Sequence, residues 1–180
     1  MSHDIAAAAE SRWAFVVGAI IFVIIAMMVF TGLHWASMPP SRVETIDPRT
    51  LHISGEFVEG NLGTSVGTDG KVVVRLIAQQ YSFEPQCMVV PVDTPVTFRA
   101  TSTDVIHGFV IGKTNANVML IPGYVATFTA TFPKAGEQLM PCHEFCGSGH
   151  AAMWARVQAL PRAEFLSRAR AGERMSCVPR

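Results

Sequence analysis

Twelve consecutive residues near the C-terminal end, Cys142-His143-Glu144-Phe145-Cys146-Gly147-Ser148-Gly149-His150-Ala151-Ala152-Met153, bring together thiols, imidazoles, a carboxylate and a thioether. Cys142 and Cys146 stand four apart, His150 four beyond the second, and Met153 three further on. Thiolate, imidazole and thioether together suit copper better than any hard cation. A disulfide between Cys142 and Cys146 would leave His150 and Met153 unexplained. A zinc site of two cysteines and two histidines could recruit His107, but zinc has no use for a thioether and the spacing is not that of a finger. Without Cys142, the set Cys146, His150, Met153 and His107 matches a mononuclear electron-transfer copper: two imidazoles, one thiolate and a weak axial methionine. Cys142 adds a second thiolate. Two thiolates can bridge two copper ions, with His107 and His150 each capping one, Met153 weakly bound to one, and a backbone carbonyl of the inter-cysteine loop weakly bound to the other. Sharing one electron hole between two bridged metals spreads the geometric change on redox over many bonds, which favours fast transfer at small driving force.

The elements that must hold these ligands read as strands. Lys71–Ala78, Val96–Thr101, Val105–Ile111 and Tyr124–Phe132 are short runs rich in β-branched and aromatic residues, separated by Pro and Gly, which indicates an all-β sandwich or barrel. In the last of them Val125, Thr127, Thr129 and Thr131 alternate with Ala126, Phe128, Ala130 and Phe132. Upstream, the stretch from Trp13 to Leu33 contains no charged residue. As a helix it is about 30 Å long, the thickness of a bilayer's hydrocarbon core. Trp13 and Trp35 bracket it as interfacial aromatics do. The run is too long for a signal peptide and lacks a good small-x-small cleavage site, so a retained anchor is expected. Arg12 against Asp4 and Glu10 leaves the positive-inside rule without an answer on orientation. The chain thus divides into an N-terminal segment and transmembrane helix (1–36), a Pro- and Gly-rich connector (37–70), a β-sandwich (71–160) and a basic helical tail (161–180).

The spacing Cys142-x-Glu144-x-Cys146-x3-His150-x2-Met153 resembles the CuA motif of subunit II of the heme-copper cytochrome c oxidases. The likeness continues upstream. Thr103-Asp104-Val105-Ile106-His107-Gly108-Phe109 is similar to the segment that supplies that family's first histidine ligand. Asn117–Gly123 resembles the turn before its next strand, and Tyr81-Ser-Phe-Glu-Pro85 its aromatic segment before a Pro-containing turn. A single span with a compact copper domain, and the Asp-Val-Ile-His-Gly-Phe wording, most resemble the B-type (ba-type) branch. The resemblance implies a mainly β, cupredoxin-like Greek-key sandwich behind a single N-terminal transmembrane helix, with a short C-terminal helix. It implies a dinuclear CuA centre at His107, Cys142, Glu144, Cys146, His150 and Met153, with the backbone oxygen coming from the inter-cysteine loop. It raises a magnesium site at the Glu144 carboxylate, shared with subunit I.

The function implied is electron acceptance from a soluble cytochrome c or small copper protein and delivery to heme in subunit I, where oxygen is reduced and protons are pumped. Catalysis belongs to the complex and not to this chain alone. The resemblance places the chain in a bacterial plasma membrane with its C-terminal domain on the periplasmic side. Two alternatives share the ligand chemistry: the CuA subunit of a nitric oxide reductase on the same scaffold, and a membrane-anchored copper-binding cupredoxin. No Cys-x-x-Cys-His heme motif occurs in the chain.

The remaining candidates have plainer readings beside functional ones. Tyr81 and Phe83 are core aromatics in the simplest reading; in the resemblance an aromatic near Tyr81 lies by the copper and receives electrons, and Trp154 has the same ambiguity. Asp104 either orients His107 by accepting its other ring proton or caps a turn. His3, His34, His52 and His143 read as non-ligands. Cys87 reads as a small buried residue beside a strand, with a bridge to Cys177 left open for an oxidising compartment, since sequence cannot supply the geometry. Formal net charge is zero, so no basic face for nucleic acid is implied. Residues 37–160 carry eight Lys and Arg against ten Asp and Glu without runs, so donor docking should rest on apolar contact more than on charge steering.

Overall fold

The computed structural model describes residues 2–35, 43–169 and 173–177, and the side chains of 5–34 within the first of these segments. The chain divides into two compact units, 1–42 and 43–180. The first is helix α1, Ser2–Trp35. It is longer than the uncharged run, because Ala6–Ala9 and Glu10 are good helix formers that carry the helix back toward the N-terminus. From Ile5 to His34 it contains a stretch of mean hydropathy 2.8, long and apolar enough to cross a membrane. Thr31, the hydroxyl near the C-terminal end of the apolar run, donates to the carbonyls of Met27 and Met28 and so needs no outside partner. Trp13 is exposed; the side chain of Trp35 lies outside the described residues.

The second unit is a β-sandwich. Its larger sheet is built from β1 (Gly63–Val66), β2 (Val72–Gln79), β5 (Val96–Ser102) and β8 (Ala126–Ala130) in that order. The short β3 (Ser82–Glu84) pairs with the far end of β2. β2 and β5 run parallel, while β1 and β8 are antiparallel to their neighbours. The second sheet is β4 (Cys87–Pro91), β10 (Trp154–Leu160) and β9 (Gly136–Pro141), with β10 in the middle. β6 (His107–Val110) and β7 (Asn117–Leu120) form a separate hairpin. α2 (Arg162–Arg168) follows and buries Phe165. This is the expected mainly β, cupredoxin-like sandwich. Asn117–Gly123 is more than the turn expected of it, since its first four residues pair with β6.

Alternation explains the packing. Val72, Val74, Leu76 and Ala78 point inward from β2, and Val96, Phe98 and Ala100 from β5. They meet Met88, Val90, Met140 and Val157 of the other sheet in one core. Phe98 stacks on Phe128 with centroids 5.0 Å apart, a geometry that adds to plain burial. The threonines of β8 face outward as the alternation requires.

Two expectations need correction. The segment read as a connector folds onto the sandwich from Val43 onward. Leu51 and Phe57 are buried with Ile77 on the outer face of β2, and Gly63–Val66 is a paired strand. Beside them Glu56 accepts from Arg75 at 2.8 Å and from Arg99 at 2.6 Å. Scattered Gly and Pro concealed two large apolar side chains and a carboxylate facing two arginines. Cys87 is not a lone buried thiol: it forms a disulfide with Cys177, 90 residues away. The bridge is prepared by backbone pairing, because Met175 exchanges two hydrogen bonds with Thr64 and the Cys177 N–H donates to the Cys87 carbonyl.

Candidate metal centre

The ligand candidates come from two places. His107 opens β6, immediately after the loop that leaves β5. The others lie between β9 and β10, where the chain passes from Cys142 through a single 3-10 turn, His150–Ala152, to Met153. A backbone bridge between Phe109 and Cys142 and a hydrogen bond from the His143 N–H to the Gly108 carbonyl dock the second segment against the first. The Cys142 N–H donates to the Met153 carbonyl at 3.0 Å, closing the ligand loop on itself.

The donors lie close together. His107 Nδ1 is 3.9 Å from Cys142 Sγ, the two sulfurs are 4.0 Å apart, and Cys146 Sγ is 3.6 Å from His150 Nδ1 and 3.7 Å from Met153 Sδ. The Glu144 backbone oxygen is 3.4 Å from Cys142 Sγ. Donor atoms of His107, Cys142 and Cys146 lie within 4.8 Å of one another, and all three residues are buried. The sulfurs are far beyond the roughly 2 Å of a disulfide, so both are free thiols. Two thiolates each about 2.3 Å from a shared ion can stand 4.0 Å apart, so the donor set fits metal. The thioether against Cys146 favours copper over zinc.

Electrostatics supports the same arrangement. Burial first, and then the neighbouring Cys142 sulfur, push the Cys146 thiol up to about 11. Metal binding there must therefore displace a proton. His107 turns Nε2 to Asp104 Oδ1 at 2.9 Å, which leaves Nδ1 facing the sulfurs. Burial works to raise the Asp104 carboxyl, but the Gln80 N–H, His107 and the Val105 N–H outweigh it and hold the carboxyl below its ordinary value. Asp104 is thus ionised at neutral pH, orienting the ring and bonding the turn backbone at the same time.

Of the other candidates, the Glu144 carboxylate does not join the sulfurs and lies 3.5 Å from His143 Nδ1. Tyr81 is not a core aromatic, whereas Phe83 is fully buried. The Tyr81 ring lies on Gly147 and Gly149, where an added Cβ would sit 2.5 Å from Tyr81 atoms; Gly147, at φ +133, also has a backbone that side-chain-bearing residues rarely adopt. Trp154 is half exposed and donates to the Ala151 carbonyl. The sequence reading passed over two residues at the site. Phe145 is 81% exposed, with its ring 5.8 Å from that of His150 in an edge contact. Gln80 donates through its side chain to the Cys146 carbonyl at 2.5 Å and through its backbone to Asp104 Oδ2 at 2.7 Å. Adjacency to Tyr81 was the only hint for Gln80, and lying inside the ligand motif the only one for Phe145.

Residues 73–160 match the family described as cytochrome C oxidase subunit II, periplasmic domain. A cytochrome c oxidase subunit 2 from Thermus thermophilus is 32% identical over 158 residues, covering 87% of this chain and 94% of the relative. The subunit 2 of Saccharomyces cerevisiae is 39% identical over 79 residues, covering 44% of this chain and 32% of its own length. A chain from the cryo-EM structure of a heme-copper terminal oxidase dimer superposes with a TM-score of 0.53 at 25% identity, covering 84% of this chain and 99% of that one. The sandwich, the buried cluster of thiols and imidazole, the apolar helix that fits a single-pass anchor and these likenesses converge: the chain belongs to the cytochrome c oxidase subunit 2 family.

Proposed function

We propose that this chain accepts electrons from a soluble donor at a dinuclear copper centre and passes them to heme in subunit I of a terminal oxidase. The observation that carries the dinuclear reading is that two thiols 4.0 Å apart each have an imidazole beside them, His107 at Cys142 and His150 at Cys146. His150 adjoins Cys146 and stands outside the group formed by His107, Cys142 and Cys146, an arrangement that suits two ion positions better than one tetrahedral site. Cys142 and Cys146 would bridge, His107 and His150 would cap, and Met153 and the Glu144 carbonyl would be the weak ligands. Copper held there would supply a one-electron store.

The chain's own residues do the rest. Asp104 fixes the ring and tautomer of His107, and the buried setting of Met153, Cys142 and Cys146 excludes water from the sulfurs. Tyr81, Phe145 and Trp154 place aromatic surface at the outer rim, where an incoming donor, a cytochrome c or small copper protein, would dock. The Glu144 carboxylate, half exposed beside His143, is available to a magnesium ion completed by oxygen ligands of subunit I. The Cys87–Cys177 disulfide supports an oxidising location for the domain, as the periplasmic face of a bacterial plasma membrane provides, with α1 as the anchor.

Copper content and low-temperature EPR of the full chain in its complex test this reading. Two coppers per chain with a seven-line hyperfine pattern are expected. One copper with four lines would mean a mononuclear site and end the dinuclear reading.

A further inference from the structure

The ligand set is split between two stretches of chain, the turn ending at His107 and the loop from Cys142 to Met153, and Gln80 is bonded to both. Its backbone N–H donates to Asp104 Oδ2, while Asp104 Oδ1 holds Nε2 of His107. Its side-chain amide donates to the Cys146 carbonyl, which belongs to the residue carrying the thiol nearest His150 and Met153. We propose that Gln80 is a positioning residue that sets the spacing between the His107 half and the Cys146–His150 half of the centre. It acts through Asp104 on one side and through the Cys146 carbonyl on the other. Tyr81 completes the clasp: its ring lies on Gly147 and Gly149, and its hydroxyl is 3.3 Å from Ser148 Oγ.

The two arms of Gln80 are separable. The bond to Asp104 is made by the backbone and survives a change of side chain. The bond to Cys146 is made by the side chain alone. Gln80 stands at the surface, so its replacement leaves the buried core intact. Removing the amide should therefore loosen one half of the centre and spare the other, which a residue acting only on overall stability would not do.

This inference rests on the copper reading above, and its test separates the two. The full chain in its oxidase complex is compared with Gln80→Leu, which removes the donor, and Gln80→Glu, which keeps the size but faces the carbonyl with an acceptor. Copper affinity is measured by chelator competition, and the couplings of the two imidazoles by hyperfine spectroscopy. Exchange of the Cys146–Gly149 amides is followed in the copper-free chain. Both variants should lose about tenfold in affinity, the scale seen for residues that orient metal ligands. The His150 coupling should shift with that of His107 unchanged, and the loop amides should exchange faster, while Tm stays within about 2 °C. Unchanged affinity, couplings and exchange would overturn the proposal. So would an equal disturbance of both imidazoles accompanied by a large fall in Tm. A wild-type chain that takes up no copper would sink the copper reading instead, and exchange in the metal-free chain would still decide the clasp.

Discussion

Asp104 does two things with one carboxylate. One oxygen accepts from His107 Nε2 and from the Val105 N–H, and the other accepts from the Gln80 N–H. A ring held this way presents one nitrogen in one orientation, so a metal does not have to select among rotamers and tautomers when it binds. Asp104→Ala should therefore lower copper affinity by about 10–100-fold, measured by chelator competition, with His107 itself intact. Asp104→Asn keeps an acceptor and should lose less. Equal affinity in Asp104→Ala and wild type would mean that packing alone holds the ring. At this scale the sequence was informative where chemistry is contiguous. Cys142, Cys146, His150 and Met153 fall within twelve residues, and their types alone suggest a soft-metal site. His107, 35 residues from Cys142, was assigned with the help of the family resemblance. Gln80 was invisible, because nothing in a glutamine's identity says that its amide will reach a carbonyl 66 residues away.

Two elements outside the site hold the sandwich that carries it, and both were hidden in the sequence for physical reasons. Segment 43–62, part of the stretch read as a connector, looked like one because its apolar residues are interleaved with Pro, Gly, Asp and Asn and show no regular period. Its contribution comes from a few side chains, Leu51, Phe57 and Glu56, that meet partners on β2 and β5. Burial works to raise the Glu56 carboxyl, but Arg99 and Arg75 outweigh it and hold the carboxyl below its ordinary value. A depressed folded value means that the stabilisation is present above the ordinary carboxylate range and is lost as pH falls through that range and below it. Glu56→Gln should lower stability at neutral pH by about 2 kcal/mol, since two arginines lose their shared charge at a partly exposed site. Chemical denaturation should also show a shallower loss of stability on acidification in this variant. An unchanged acid slope would show that other carboxylates govern it. The Cys87–Cys177 bridge was equally hard to see, because two lone cysteines 90 residues apart imply no geometry. Loop-closure entropy gives such a bridge about 4–5 kcal/mol. The double variant Cys87→Ala, Cys177→Ala should lose on the order of 2–5 kcal/mol by denaturant titration. With copper bound, its hyperfine spectrum should match wild type, since the bridge contributes no donor to the centre. A changed spectrum would mean that strain travels from β4 into the ligand loop.

For the whole molecule, the proposed role requires that a soluble donor reach the centre. The chain carries no net charge, and residues 37–160 hold eight basic against ten acidic residues without runs, which gives electrostatic steering little to act on. What it offers at the ligand loop is apolar: Phe145 almost fully exposed, with Tyr81, Ile106 and Trp154 exposed to lesser degrees. Phe145 also touches the His150 ring edge-on, so the most exposed aromatic of the rim is in contact with a candidate ligand. A donor seated on Phe145 would sit close to the centre. Docking of this kind is driven by removal of apolar surface from water, which salt at physiological strength hardly weakens. The second-order rate of reduction of the intact complex by a soluble donor should thus change by less than about threefold between roughly 10 and 200 mM salt, where steered pairs fall steeply. Phe145→Ala should slow that rate by about tenfold, the cost of truncating a central aromatic anchor, while internal transfer after photoreduction stays unchanged because no ligand is lost. A steep salt dependence with Phe145→Ala reacting normally would move the docking site away from this rim and onto a charged face.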